Sequence, residues 1–320
     1  MSSTYPDQSS LRDQWITALR PPRLTLDPQV PYAFFAEEER SAEGEVVSVA
    51  TIFLTNRECP WRCVMCDLWR NTLTDRVPGG AIPAQIDYAL SRLPPAGHIK
   101  LYNSGSFFDP QAVPPEDYRA IADRLSRFEL VTVECHPALV GERCIDFRSC
   151  LAGRLEVALG LETAHPQVLE RLNKRMTLDS FSRAARFLHA NDIDLRTFIL
   201  VQPPFMAATK ALYWAERSLD LAFRCYANVA TLIPTRANNG AMEALIASGD
   251  FRPPTLELLE AALTYGISLD RGRVFADLWD VERLLPCTHC MSAQVGRLRD
   301  LNLTQRIPAP IACTACGKAA

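Results

Sequence analysis

The sequence predicts an α/β protein: an open, partial barrel of six strand-then-helix units, followed by a small C-terminal module built on four cysteines. Three observations predict it. Six short runs rich in apolar and β-branched residues recur through the middle of the chain. Stretches with apolar residues at helical spacing separate them. Seven of the eleven cysteines fall in three tight groups, one after the first run and two near the C-terminus.

Residues 1–47 mix Pro, charged and aromatic residues without sustained periodicity and read as an N-terminal arm over the main domain. The core spans 48–268. Its strand candidates are the run ending near Thr55, then 98–103, 130–134, 154–160, 195–201 and 227–233. Helix candidates between them include IPAQIDYALSRL, PPEDYRAIADRLSRF, TLDSFSRAARFLHAN and the segment around KALYWAERSLDLAF. Parallel neighbours need a crossover long enough to return, so this alternation predicts a parallel sheet with right-handed connections. Runs such as VATIFL and FILV are apolar almost throughout, as strands covered on both faces are. Six units fall short of the eight of a closed barrel, and in either arrangement the site sits at the carboxyl ends of the strands. From 252, RPPTLELLEAALTYG reads as a last helix, and 269–320 forms the C-terminal module, with few helical signals.

Over 320 residues, 48% hydrophobic content suffices for one large core and a small appendage. A net charge of −3 exerts no global pull on nucleic acid or an anionic membrane, so a polyanionic partner would need a local patch. No run of about 18 apolar residues occurs, and the opening MSSTYPDQSSLRDQW lacks the basic and apolar parts of a secretory signal. A soluble cytoplasmic protein without membrane association is expected. Disulfides rarely persist there, which makes the clustered cysteines ligands rather than bridges. Cys135, Cys144, Cys150 and Cys225 are scattered and read as inert buried thiols.

The segment TNRECPWRCVMCDLW places Cys59, Cys63 and Cys66 at C-x3-C-x2-C, directly after the first strand. Three thiolates on a short loop can hold three corners of a [4Fe–4S] cubane and leave one iron for an exchangeable ligand, such as the amino and carboxylate groups of S-adenosylmethionine (SAM). Zinc knuckles supply cysteines in C-x2-C pairs, and the odd count fits them poorly.

This spacing, on the loop after the first strand, resembles the radical SAM superfamily. The resemblance implies a (β/α)6 TIM-like partial barrel, a [4Fe–4S] cluster and SAM as cofactors, and an electron donor such as a flavodoxin or ferredoxin. Met65 stands where an aromatic residue is usual and, being apolar, serves the same shielding role. The resemblance further implies that Asn103, Ser104, Gly105 and Ser106, after the second strand, receive the SAM ammonium group. Glycine there also lets backbone approach a ligand closely. Glu134 and Glu162, at the mouths of the third and fourth strands, would meet the ribose hydroxyls and the amino group. Arg196 or Lys174 would hold the SAM carboxylate, the other reading of each cation being a salt bridge to one of those glutamates.

The segments LYNSGSFFDP, VTVECHP, LEVALGLET, LNKRMTLDSFSRAARFLHAN, FILVQPPF and FRPPTLELL, across about residues 50–265, are similar to the radical SAM subunit of archaeosine synthase, a tRNA-modifying enzyme. Ala138 stands where that family has an acidic residue, and Gln202 precedes Pro203-Pro204 where a lysine is usual. The implied activity is that of a lyase, in which a substrate radical fragments a carbon–nitrogen bond of a lysine adduct on a deazaguanine base in tRNA. A partner subunit, or Arg297, Arg299 and Arg306 in the tail, would contact the tRNA. No His pair or Ser/His/Asp arrangement stands out, and hydrogen abstraction needs none. The alternatives are a radical SAM enzyme acting on a small molecule or peptide, and a non-catalytic zinc-binding interaction protein.

In the tail, Cys287-x2-Cys290 and Cys313-x2-Cys316 form two knuckles 22 residues apart. Four thiolates in a tetrahedron would bind a metal that folds a tail too short to fold itself, zinc first and an auxiliary [4Fe–4S] cluster second. His289, inside the first knuckle, is surplus to a complete shell.

Overall fold

The computed structural model describes residues 4–285 and 287–317. Helix α1 (Ser9–Ala18) precedes the hairpin of β1 (Ala33–Arg40) and β2 (Val46–Phe53). Two short strands, β3 (Asn56–Arg57) and β4 (Thr72–Leu73), pair in parallel at the base of the first cysteine loop. Then come α2 (Ala81–Leu90), β5 (His98–Tyr102), α3 (Tyr118–Arg124), β6 (Leu130–Cys135), α4 (Glu142–Cys150) and β7 (Arg154–Glu162). They are followed by α5 (Pro166–Arg171), α6 (Leu178–Ala190), β8 (Asp194–Val201), α7 (Ala211–Arg224) and β9 (Val229–Pro234). The chain ends with α8 (Ala241–Ser248), α9 (Leu256–Ser268), β10 (Arg273–Ala276) and α10 (Met291–Thr304).

The main sheet runs β1-β2-β5-β6-β7-β8-β9-β10, parallel throughout except for β1. The six predicted strands are β2 and β5 to β9, in sequence order, and the sheet curls into a half-barrel. Its outer face follows from the alternation of side chains along each strand. Ile52, Ile99, Leu101, Val131, Val133, Val157, Leu159 and Ile199 are completely buried, each contributing about 1.5–3 kcal/mol of transfer free energy.

The alternate positions face inward and carry charge. Register sets Lys100, Thr132 and Glu156 side by side on β5, β6 and β7. Arg196 on β8 reaches Glu156 at 2.7 Å and, across the interior, Glu39 on β1 at 2.5 Å. Lys100 reaches Glu39 at 2.6 Å and Glu37 at 2.9 Å. Strands far apart in sheet order can share these ion pairs only because the sheet is curled. Burial pushes Glu39 toward protonation, but Arg196 and Lys100 outweigh it and hold the carboxyl well below the usual carboxylate range.

Two strands of the main sheet, β1 and β10, and the C-terminal helix α10 lie outside the expected elements, for identifiable reasons. β1 reads AFFAEEER, and its inward Glu37 and Glu39 are acceptable only beside Lys100 and Arg196, so its pattern looks unlike a strand. β10 has four residues, too few for a period to register. α10 packs against both edge strands with polar side chains. Its Asn302 both accepts from the Ala276 N–H and donates to the Ala276 carbonyl, each at 2.8–2.9 Å. Gln305, just past its end, does the same to Val274. Two side-chain amides thus pair with the open edge of β10 as a neighbouring strand would. Arg299 meets Glu38 at 2.9 Å, and Arg40 donates to the Leu303 carbonyl, which ties the same helix to β1. Among the described residues, no helix is long and apolar enough to cross a membrane.

Candidate functional site

The first cysteine loop leaves the carboxyl end of β2, as barrel logic requires. The Leu54 N–H bonds to the Tyr102 carbonyl, and the β3–β4 pair then closes the loop that carries Cys59, Cys63 and Cys66. Distant side chains hold the loop in place. Asn239, beyond β9, donates to the Val64 and Cys66 carbonyls, both at 2.9 Å. Asn173, after α5, donates to the Arg62 carbonyl at 2.7 Å. Trp61 stacks on His136, after β6, with ring centroids 3.6 Å apart and planes at 12°. His136 is itself fixed at both ring nitrogens, Nδ1 accepting from the Ala138 N–H and Nε2 donating to the Lys174 carbonyl. Burial, then the Lys174 ammonium, push its pKa down to about 3, so the stacked ring is neutral.

All three thiols are free. Burial raises Cys59 to about 12 and Cys66 to about 11, and carries Cys63 well above the ordinary thiol value. Protonated thiols are the natural state of this loop until iron supplies the charge that makes them thiolates.

The turn after β5 lies against this loop. A Cβ built on Gly105 would stand 3.5 Å from that of Cys59. Ser104 adopts a left-handed backbone (φ +53°), and its hydroxyl is 2.8 Å from the Tyr32 hydroxyl. Ser106 accepts from the His136 N–H at 2.8 Å. Glu134 faces the same turn and accepts from the Asn103 N–H at 2.5 Å. Burial raises its pKa, opposed by the backbone N–H groups of Asn103, Ser104 and Gly105. The side-chain amide of Asn103 is buried with neither its donor nor its acceptor satisfied within the protein, and so is that of Asn56 nearby on the chain from β2. Unpaired buried polar atoms cost about 1–3 kcal/mol each, and several together point to an absent polar ligand.

Glu162 ends β7 at a bulge, also with a left-handed backbone (φ +64°), and pairs with Lys174. A Cβ on Gly160 would collide with both groups of this pair, so glycine there makes room for it. Burial works against charge on Lys174, but the Glu162 carboxylate outweighs it and raises its pKa. The fold therefore gathers Cys59, Cys63, Cys66, Asn103, Ser104, Gly105, Ser106, Glu134, Glu162 and Lys174 at one end of the barrel. Arg196 does not join them. It lies in the ionic layer described above, with Glu39 and Glu156 as its partners rather than Glu134 or Glu162. The gathered set could hold a [4Fe–4S] cluster and a zwitterionic ligand: three thiols without a fourth, an ammonium, a carboxylate and unsatisfied amides.

Sequence reading missed Trp61, His136, Asn173 and Asn239 as supports of the loop. Asn173 adjoins Lys174, a visible hint, whereas nothing local singles out Asn239. Of the tail arginines, Arg297 bonds Glu260 and the Pro308 and Ala309 carbonyls, Arg299 bonds Glu38, and Arg306 is exposed.

In the tail, Cys290 caps the start of α10 and Cys313 and Cys316 follow its end. The four sulfurs lie within 4.8 Å of one another, with Cys287–Cys313 and Cys290–Cys316 both at 3.9 Å. The Cys290 N–H, and less strongly that of His289, draw the Cys287 thiol down to about 7. This group can bind a metal; His289 is exposed and not part of it.

No family model matches the chain. It is 27% identical over 292 residues to archaeosine synthase subunit beta of Methanosarcina acetivorans, covering 85% of this chain and 83% of that protein. Among solved structures it resembles methylornithine synthase, with a TM-score of 0.52 and 15% identity over 78% of this chain and 69% of that one. It also resembles Elp3 of Methanocaldococcus infernus, with a TM-score of 0.50 and 13% identity over 70% of this chain, and spans only 59% of Elp3. The fold is that of radical SAM enzymes, and the chain resembles that superfamily.

Proposed function

We propose that this chain is a radical SAM enzyme acting on a modified base in tRNA. The observation that carries the reading is the set of three free thiols on one loop at the carboxyl end of β2, beside a turn whose buried Asn103 amide has no partner in the protein. Cys59, Cys63 and Cys66 would hold the cluster, which when bound would supply the electron for reductive cleavage of SAM and so for hydrogen-atom abstraction from the substrate. The chain's own residues bind, orient and exclude water. Asn103 and the backbone of 104–106 would receive the SAM ammonium group, with Glu134 holding that turn in shape. Lys174 would turn from Glu162 toward the SAM carboxylate. Trp61, stacked on neutral His136, would wall the cluster from solvent.

The similarity to archaeosine synthase subunit beta supports the finer reading. The substrate radical would then fragment a carbon–nitrogen bond of a lysine adduct on a deazaguanine base, with a flavodoxin or ferredoxin as the electron donor. For the tail, zinc is favoured over a second cluster. Zinc sits about 2.3 Å from each sulfur, which places tetrahedral sulfurs about 3.8 Å apart. The observed 3.9 Å suits one ion, while a cubane spreads its thiolates over four corners.

Anaerobic purification tests the enzyme directly. The expected protein is brown, absorbs near roughly 400 nm, bleaches with dithionite and cleaves SAM to 5′-deoxyadenosine. A colourless protein containing only zinc would overturn the proposal. Release of a base-modified tRNA product from adduct-bearing tRNA tests the substrate.

A further inference from the structure

We infer that an arginine collar around the first cysteine loop, made of Arg20, Arg23 and Arg62 with Arg57 and Arg70 beside them, docks the phosphodiester backbone of RNA; this rests on the tRNA reading above. Glu58, the residue before Cys59, is a single carboxylate that receives three guanidinium groups: Arg20 at 2.8 Å, Arg23 at 2.5 Å and Arg62 at 3.1 Å. One negative and three positive charges leave an excess of two. Other arginines of this fold have a carboxylate to themselves, as in Arg12–Glu170, Arg76–Glu116, Arg124–Asp87 and Arg236–Asp277, whereas Glu58 is shared by three. The excess is local, in a chain whose total charge is −3.

The collar is partly buried. The side chain of Arg20 is 9% exposed, lies over the Trp69 ring at 4.5 Å, and its Nε is buried without a partner. Arg23 and Arg62 are 26% and 27% exposed; Arg23 also donates to the Thr72 carbonyl and hydroxyl, and Arg62 to the Cys59 and Trp61 carbonyls, so both are held in place beside the loop. Arg57 bonds only the neutral Gln111 side chain, and no carboxylate partners Arg57 or Arg70 among the described residues. Guanidinium forks match phosphate oxygens two at a time, and half-buried cations attract anions more strongly than fully solvated ones. The cations come from three segments, 20–23, 57–62 and 70, which meet through the Glu58 bonds and through the Leu24 N–H bonded to the Arg70 carbonyl. A ligand touching all three needs several anionic groups in series, as a nucleic-acid backbone has. The collar rings the loop that carries the proposed cluster, so a strand held there would present its nucleosides to the barrel mouth.

The test is fluorescence anisotropy of a labelled tRNA transcript against the cluster-loaded protein across a salt series. Each lost phosphate contact lowers the slope of log affinity against log salt by about 0.7–0.9. Arg23→Ala with Arg62→Ala should lower it by about 1–2 and weaken binding about 10–100-fold at low salt. Arg70→Ala, which breaks no ion pair, should lower it by about one without touching the Glu58 hub. Arg119→Ala, an exposed side chain on α3, should change nothing. Unchanged cluster absorbance certifies folding. Salt-dependent tRNA binding with the same slope in all variants would overturn the collar and leave the tRNA reading intact. Absence of salt-dependent tRNA binding by the parent protein would overturn both. Variants that lose binding of a polyglutamate probe while keeping that of tRNA would assign the collar to an acidic protein instead and overturn the inference.

Discussion

The chain holds two groups of cysteines built on opposite principles. The tail group is nearly self-contained: C-x2-C pairs bring sulfurs together by local geometry, and four of them converge to within 4.8 Å. The Cys59, Cys63 and Cys66 loop is shaped from outside, by Asn173, by Asn239 and by His136, on which its Trp61 stacks. Their electrostatics differ too. Burial keeps the triad thiols protonated; in the tail, backbone N–H groups draw Cys287 toward ionisation while burial raises Cys290.

The largest test of this contrast removes one group at a time. Replacing Cys59, Cys63 and Cys66 with Ala should abolish SAM cleavage and remove the iron while leaving about one zinc per chain, read by metal analysis. Cys313→Ala with Cys316→Ala should do the reverse, losing zinc and several kcal/mol of stability while the brown cluster remains. Loss of both metals in both variants would mean that the two groups form one site.

Acid should distinguish the two next. His136 has an ordinary pKa of 6.5 in the unfolded chain and about 3 when folded. Between those values the unfolded chain binds a proton that the native one does not, so stability is full above about 6.5 and falls as pH drops toward 3, by a few kcal/mol in total. His136→Gln should flatten this slope in a thermal-melt series from pH 7 to 4, with zinc content unchanged over the upper half of that range.

Asn239→Ala leaves two loop carbonyls without their donor and should cost about 1–3 kcal/mol, seen as faster loss of cluster absorbance on exposure to air. The smallest effect belongs to the tail side. Asn302→Ala or Gln305→Ala should each cost about 1 kcal/mol, with faster amide exchange at Ala276 or Val274 and no change at the triad. A triad disturbed by either change would erase the separation.

What the sequence determined by itself was whatever repeats or pairs at short range. Six apolar runs alternating with helical spacing sufficed for the parallel order of β2 and β5 to β9, because strand and helix periods are one-dimensional. C-x3-C-x2-C after a strand located the loop, and two C-x2-C pairs located the tail group, because neighbouring cysteines have little freedom to be elsewhere. Only the tertiary structure decided that Glu37 and Glu39 make β1 a strand, that Arg196 serves those acids instead of the site, that Asn239 fastens the cysteine loop, and that three arginines converge on Glu58. Each of these depends on which side chains the curl of the sheet and the N-terminal segment bring face to face. A charged residue is tolerable in a strand, or in excess beside a cysteine loop, only when its partner is known, and partners 35 to 157 residues away leave no local trace.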